Sequence, residues 1–166
     1  MKLRTLKIPG VSKFARNEGG GTLAELAILL PILAVMLAAV SEFGRYFQTY
    51  TTLAKGTRSA ARYLSNHPNS TDEQNKAKNL VVCGTLAACA DGDRLVRGLE
   101  VTNVCIQTTG SPKIETVTVR IPKTAEGECG APLNYQPIFN IGALLHNTID
   151  LNLPLTPSTT MRYMLD

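Results

Sequence analysis

The sequence predicts an α+β protein, in which a long N-terminal membrane-spanning helix continues into a stem and packs against a small antiparallel sheet in an external domain. Three observations carry that expectation. Thr22 to Val40 is a run of 19 residues in which only Thr22, Glu25 and Pro31 are not apolar. Helical periodicity then continues past the run to about Leu64, and from Leu99 onward the apolar residues fall instead at every second position, the period of a strand. The implied organisation is a basic leader over 1–20, a transmembrane helix over 21–42, a helical stem over 43–65 and an external α+β domain over 66–166.

The leader sets the charge of the whole chain. It holds five of the 17 basic residues (Lys2, Arg4, Lys7, Lys13 and Arg16) and one of the 13 acidic ones, Glu18, so twelve of each sign remain in residues 21–166. A nucleic-acid binder carries its excess charge as a patch on the folded domain. This domain has none to spare, so no nucleic acid is expected as a partner. Basic residues on one side of an apolar run instead fix orientation, placing the leader in the cytoplasm and the domain outside. The expected arrangement is therefore a single membrane crossing with the C-terminal domain outside.

At 1.5 Å rise per residue the apolar run spans ~28 Å as a helix, close to the ~30 Å hydrocarbon core of a bilayer, so membrane lipid is its expected surrounding. A buried core helix is the competing reading, but such helices carry a polar stripe and this run is apolar all round. A cleaved secretory signal is another, with small residues at Ala39, Val40 and Ser41 before Glu42. Against it, the basic region is long, the apolar run exceeds the usual 7 to 15 residues, and Glu25 lies inside it. That carboxylate costs on the order of 3 kcal/mol in lipid and persists there for a functional reason; the competing reading places it at the headgroups, where it costs little. Gly19, Gly20 and Gly21 precede no Lys-Ser or Lys-Thr and so form no phosphate loop. They are expected to keep the backbone unwound ahead of the helix, where a peptidase can grip it.

These residues together resemble the processing site of type IV prepilins: a basic leader, Gly20, and Glu25 five residues later opening a long apolar helix. The continuation AELAILLPILAVMLAAVSEFGRYFQTYTTLAKGTRSAARYL looks like the TadE-like minor pilins (pseudopilins) of tight-adherence pilus systems. The resemblance implies cleavage between Gly20 and Gly21 and an acidic fifth mature residue at Glu25. It also implies an apolar run interrupted at Pro31 and closed by Glu42, Phe43, Gly44 and Arg45. Leu26 departs from the pattern, which usually has an aromatic after the acidic residue. The partners so implied are a prepilin peptidase, other minor pilins and the major pilin, an inner-membrane platform and an assembly ATPase. The function implied is that of a structural subunit for pilus assembly. The alternative is a permanently anchored external binding protein whose leader stays uncut.

Beyond Val40, Phe43, Phe47, Tyr50, Ala54, Thr57, Ala61 and Leu64 follow in steps of four and three, opposite a polar stripe of Arg45, Gln48, Thr52, Lys55, Ser59 and Arg62. The apolar stripe is expected to pack on the domain. Pro68 stops the helix. Ser70, with Glu73 three residues on, fits a capping box that opens a second helix from about Thr71 to Cys83, ended by Gly84. Ala77, Leu80 and Val81 are its inward face. Strands are expected at Leu99–Thr108, at Glu115–Ile121 with Val117, Val119 and Ile121 inward, at Ile149–Leu155, and at Thr160–Leu165. A loop with Gly and Pro residues covers Lys123–Gly142, with a short helix at Ile138–Leu145.

Cys83, Cys89, Cys105 and Cys129 all lie on the expected outer side, where an even count favours disulfides. Of the three pairings, Cys83–Cys89 with Cys105–Cys129 is preferred, because it closes a short loop after the second helix and pins the long loop to the sheet. No CxxC pair is present and His67 and His146 lack helix-spaced partners, so no metal is expected. There is no GxSxG, HExxH or Walker A sequence, and Asp91 and Asp93 flank a polar turn rather than an EF-hand. No enzyme activity and no cofactor are implied.

Overall fold

The computed structural model describes residues 18–124, 129–138 and 152–165. The chain divides into two compact units, Met1–Val40 and Ser41–Asp166. One helix, α1 (Glu18–Ser65), runs through Pro31 and supplies residues to both.

In the first unit α1 is apolar and exposed. Leu23, Ile28, Leu37 and Val40 each leave 68–71 % of their surface uncovered. A Leu or Ile side chain left in water forfeits about 1.5–3 kcal/mol relative to burial. The helix is long and apolar enough to cross a membrane, and a single-pass anchor is the arrangement it fits. The glycines do not unwind it: Gly20 and Gly21 are helical. Each costs only about 1 kcal/mol relative to Ala, and the apolar run behind them propagates the helix for one bond per residue.

The second unit has its core where α1 meets α2 (Thr71–Cys83) and a sheet of β1 (Cys105–Thr109), β2 (Thr116–Arg120) and β3 (Ser158–Arg162). The order is β1-β2-β3, all antiparallel, with Ile106 opposite Val119 and Val119 opposite Thr159. Leu53, Ala60, Ala61 and Leu64 from α1, Ala77, Val81 and Val82 from α2, and Val117 and Val119 from β2 form one buried cluster with Leu99, Val104, Ile121, Leu133, Tyr135 and Leu155. Small residues set the helix spacing. A Cβ at Gly56 would stand 3.3 Å from both the Cα and the carbonyl oxygen of Val81.

α1 ends as Pro68 requires, its last turn closed by Ser65 Oγ and Asn66 Nδ2, which both donate to the Arg62 carbonyl. α2 keeps the expected bounds. Ser70 Oγ accepts from the Glu73 N–H at 3.3 Å, and Gly84 caps the other end at φ 74°, a left-handed conformation that favours glycine. The reciprocal half of the capping box is replaced. Glu73 turns to the Tyr63 hydroxyl and to Lys76 Nζ, while the Ser70 N–H donates to the Pro68 carbonyl.

Two strand expectations are corrected. The first strand starts at Cys105 rather than Leu99, because Val101–Asn103 forms a 3₁₀ turn. Asn103 Oδ1 accepts from the Glu100 N–H at 2.7 Å, and its Nδ2 donates to the Ala131 and Pro132 carbonyls. Of the expected strand at Ile149–Leu155, the described residues 152–155 add no strand to the sheet. Among the described residues they make one bridge, Asn134 with Pro154, and proline cannot donate to a ladder. Residues 149–151 and most of the expected short helix at 138–145 lie outside the described residues. The expected final strand starts two residues earlier, at Ser158, and its end is tied back to α1 by Met164 N–H donating to the Ser65 carbonyl at 2.8 Å.

Candidate functional site

The residues expected to carry function separate along α1. Gly20, Gly21, Glu25 and Pro31 belong to the first unit and are all exposed there. A side chain at Gly20 or Gly21 would meet no atom within 4 Å. Glu42, Phe43, Gly44 and Arg45 belong to the second unit, where they divide again: Glu42 is 4 % exposed, whereas Phe43, Gly44 and Arg45 face outward.

The burial of Glu42 corrects the phase of the stem stripe. Phe43 and Phe47 remain 69 % and 60 % exposed. The seam runs one position earlier at Glu42, Tyr46 and Leu53, and it keeps the expected stripe at Thr57, Ala61 and Leu64, which are all buried. A stripe drawn at 3.5 residues per turn drifts by ~20° per heptad against a straight helix of 3.6, so a stripe anchored at Leu64 is displaced by the time it reaches residue 43.

A buried carboxylate must be hydrogen-bonded. The Tyr135 hydroxyl donates to Glu42 Oε2 at 2.6 Å, and the Ile138 backbone N–H donates to Oε1 at 2.9 Å. Arg45 Nη1 stands 3.7 Å from Oε1, one turn along the helix. Tyr46 meets Tyr135 edge to face, with ring centroids 5.5 Å apart. Burial first, and the hydrogen bond to Glu42 second, hold the Tyr135 phenol above its ordinary pKa, so it remains a donor throughout the neutral range. The segment 134–138 is thereby fastened to α1, and its backbone is further paired by Tyr135 N–H to the Leu153 carbonyl and Leu155 N–H to the Leu133 carbonyl, both at 2.8 Å.

A second polar cluster joins α1 to α2. Tyr63 donates to Glu73, Lys76 pairs with Glu73 at 2.9 Å and with Asp72 at 3.3 Å, and the His67 ring stacks on Tyr63 at 3.9 Å. The Tyr63 hydrogen bond first, then Lys76, lower the Glu73 pKa. The cysteines stand in two pairs at disulfide distance, Cys83 with Cys89 at 5.8 Å between Cα atoms and Cys105 with Cys129 at 5.1 Å. Among the described residues no three His, Cys, Asp or Glu side chains converge to hold a metal ion.

Tyr135 and Ile138 are the functional partners that sequence reasoning missed. Tyr135 lies 93 residues from Glu42 in a Gly- and Pro-containing loop. A seam drawn through Glu42 and Tyr46 instead of Phe43 and Phe47 was the signal available for the burial of Glu42; nothing local announces Tyr135.

Within the second unit a buried carboxylate fastens the 134–138 segment to α1. No curated protein and no solved structure matches the chain. A family model described as TadE-like protein matches residues 20–62, the span that contains Gly20, Gly21, Glu25, Pro31 and Glu42 to Arg45. Over that span the chain is similar to TadE-like proteins, a family associated with tight-adherence pilus systems.

Proposed function

We propose that the protein is a minor pilin-like structural subunit for assembly of a tight-adherence type IV pilus. It is held in the inner membrane by residues 21–42, with its leader cytoplasmic and residues 66–166 periplasmic. A prepilin peptidase cuts it between Gly20 and Gly21. Its partners are other minor pilins, the major pilin, the platform protein and the assembly ATPase. The observation that carries this reading is the coincidence of the TadE-like match with a helix whose apolar side chains are exposed all along the first unit. Such a helix can leave lipid only by packing against other apolar helices, and a filament core supplies them.

Processing requires the helix to open locally at Gly20 and Gly21. These are the cheapest positions to open, since each glycine weakens the helix by about 1 kcal/mol relative to alanine. Cleavage also creates an amino group at Gly21, near enough in sequence for Glu25 to pair with it or with the amine of a neighbouring subunit. The decisive measurement is the mass of the mature chain from cells with an active pilus system. The expected chain begins at Gly21, and retention of residues 1–20 refutes processing. Glu25→Ala is expected to insert and be cut normally yet co-purify poorly with partner pilins; normal co-purification removes that role from Glu25.

A further inference from the structure

From Ser41 to Ser65, the part of α1 that belongs to the second unit, the helix carries four basic residues, Arg45, Lys55, Arg58 and Arg62, and one acidic residue, Glu42. Glu42 is buried against Tyr135 and the Ile138 N–H, so no carboxylate stands on the exposed side of this stretch. Lys55, Arg58 and Arg62 follow at steps of three and four, the spacing that aligns side chains on one helix face, and all three are exposed. None of them belongs to an ion pair among the described residues. Like charges at that spacing destabilise a helix. Arg62 has an offsetting role in the last turn, where a cation meets the negative end of the helix dipole. Lys55 and Arg58 precede that turn and gain little from it, because the dipole acts within the terminal turn. Phe43, Phe47 and Tyr50, 69 %, 60 % and 36 % exposed, precede the three cations on the same helix. At 3.6 residues per turn Phe47 and Arg58 lie within about 20° of each other around the axis, so the aromatic and basic patches share one face.

We propose that this face of α1 docks one helix of a different chain, apolar opposite Phe43, Phe47 and Tyr50 and acidic opposite Lys55, Arg58 and Arg62. Each patch advances about 11 Å along the axis, so the acidic half of the partner needs carboxylates three or four residues apart over about two turns. Charge complementarity selects this occupant. The same face of a second copy cannot supply it: parallel, it sets Lys55, Arg58 and Arg62 against themselves, and antiparallel, it sets them against aromatic rings, with no carboxylate in either case. The partner is a neighbouring pilin of unlike sequence, a step that rests on the function proposed above, and the chain does not polymerise with itself through this face.

The full chain, with the photoreactive residue benzoylphenylalanine in place of the exposed Ser59, is crosslinked in membranes of cells with an active pilus system, and the joined peptide is sequenced by mass spectrometry. That peptide is expected to come from another chain and to carry Asp or Glu residues three or four positions apart. Arg58→Glu should lower the crosslink yield about tenfold by setting like charges face to face. Replacing one acidic residue of the joined peptide by Lys should restore the yield, which also shows that the Arg58→Glu chain folds. Lys113→Glu, which reverses an exposed charge in the turn between β1 and β2, should change nothing. A joined peptide from this chain's own sequence, a peptide without acidic residues, lipid as the only adduct, or no adduct overturns the proposal. So does a yield that Arg58→Glu leaves unchanged, or a loss that the change in the partner does not restore. An acidic helix from a protein outside the pilus system upholds the docking face and refutes the pilin reading, whereas a chain matured at Gly21 whose yield ignores Arg58→Glu refutes the docking face alone.

Discussion

Removing the Glu42 carboxylate should loosen the external domain, and the size of the effect follows from what it leaves behind. In Glu42→Ala the Tyr135 hydroxyl loses its acceptor while the residue is only 7 % exposed. A buried donor left unsatisfied costs about 1–3 kcal/mol. The Ile138 N–H also loses its acceptor, but that residue is 62 % exposed and water replaces the bond at little cost. Loss of the side-chain methylenes from a site 4 % exposed adds about 1 kcal/mol, and relief from burying a charge returns part of the total. The expected cost is about 2–4 kcal/mol for Glu42→Ala, and about 1–2 kcal/mol for Glu42→Gln, which keeps an oxygen acceptor. The sharper measurement is the double-mutant cycle of Glu42→Gln with Tyr135→Phe. Denaturant unfolding of the full chain in micelles, followed by tyrosine near-ultraviolet dichroism, should give a coupling of about 1.5–3 kcal/mol, the value of a hydrogen bond to a charged group. A coupling below about 0.5 kcal/mol would mean that the buried carboxylate does not fasten the 134–138 segment.

Three further outcomes are expected. Gly56→Leu should destabilise the domain by about 1–3 kcal/mol or more by forcing α1 from the Val81 backbone, whereas Gly56→Ala should stay within about 1 kcal/mol of wild type, its gain in helix propensity offsetting a tight contact; equal melting temperatures for Gly56→Leu and wild type would contradict the close approach. Because the folded pKa of Glu73 is lowered, its contribution is present above the ordinary carboxylate value of about 4.3 and is lost as pH falls through the folded value below it; Glu73→Gln should flatten this acid limb of the stability curve, and an unchanged limb would remove the Tyr63–Glu73–Lys76 cluster from the account. Non-reducing mass mapping should find Cys83 joined to Cys89 and Cys105 to Cys129, with reduction costing about 2 and about 3.5 kcal/mol for separations of 6 and 24 residues; four free thiols in protein from its native compartment would contradict both the pairing and the external location.

What was legible in the sequence was local. Ser70, Glu73 and Gly84 announce α2 because capping is decided within a few residues of each helix end. Val117 and Val119 announce β2 because alternation needs no knowledge of a partner strand. The errors came where a distant contact overrode a local pattern. Residues 99–102 alternate like a strand, yet Asn103 breaks the alternation and reaches the carbonyls of Ala131 and Pro132, and its own loop tightens into a 3₁₀ turn. At 152–155, the described part of the expected strand at 149–155, the alternation was misleading, and Pro154 was a readable warning. Within the site, the four motif residues Glu42 to Arg45 could be named together, but not that one of them turns inward.

That inward turn addresses a problem α1 poses beyond Val40. Its Phe43, Phe47 and Tyr50 face is more apolar than the Glu42, Tyr46 and Leu53 face, so hydrophobic burial alone would rotate the helix the other way. Burying both rings would gain several kcal/mol at the general rate for large side chains. The observed phase instead buries Glu42, with Tyr135 and the Ile138 N–H placed to meet it, and small residues at Gly56, Ala60 and Ala61 let the rest of the seam approach closely. A rotation that buried the phenylalanines would strip Glu42 from its donors and carry larger side chains into a seam fitted to small ones. The buried carboxylate therefore acts on specificity more than on stability: it selects which face of the stem the domain grips. Phe43 and Phe47 stay outside as a consequence, and in the proposed pilin they continue the apolar surface of the run toward whatever helices or lipids surround it.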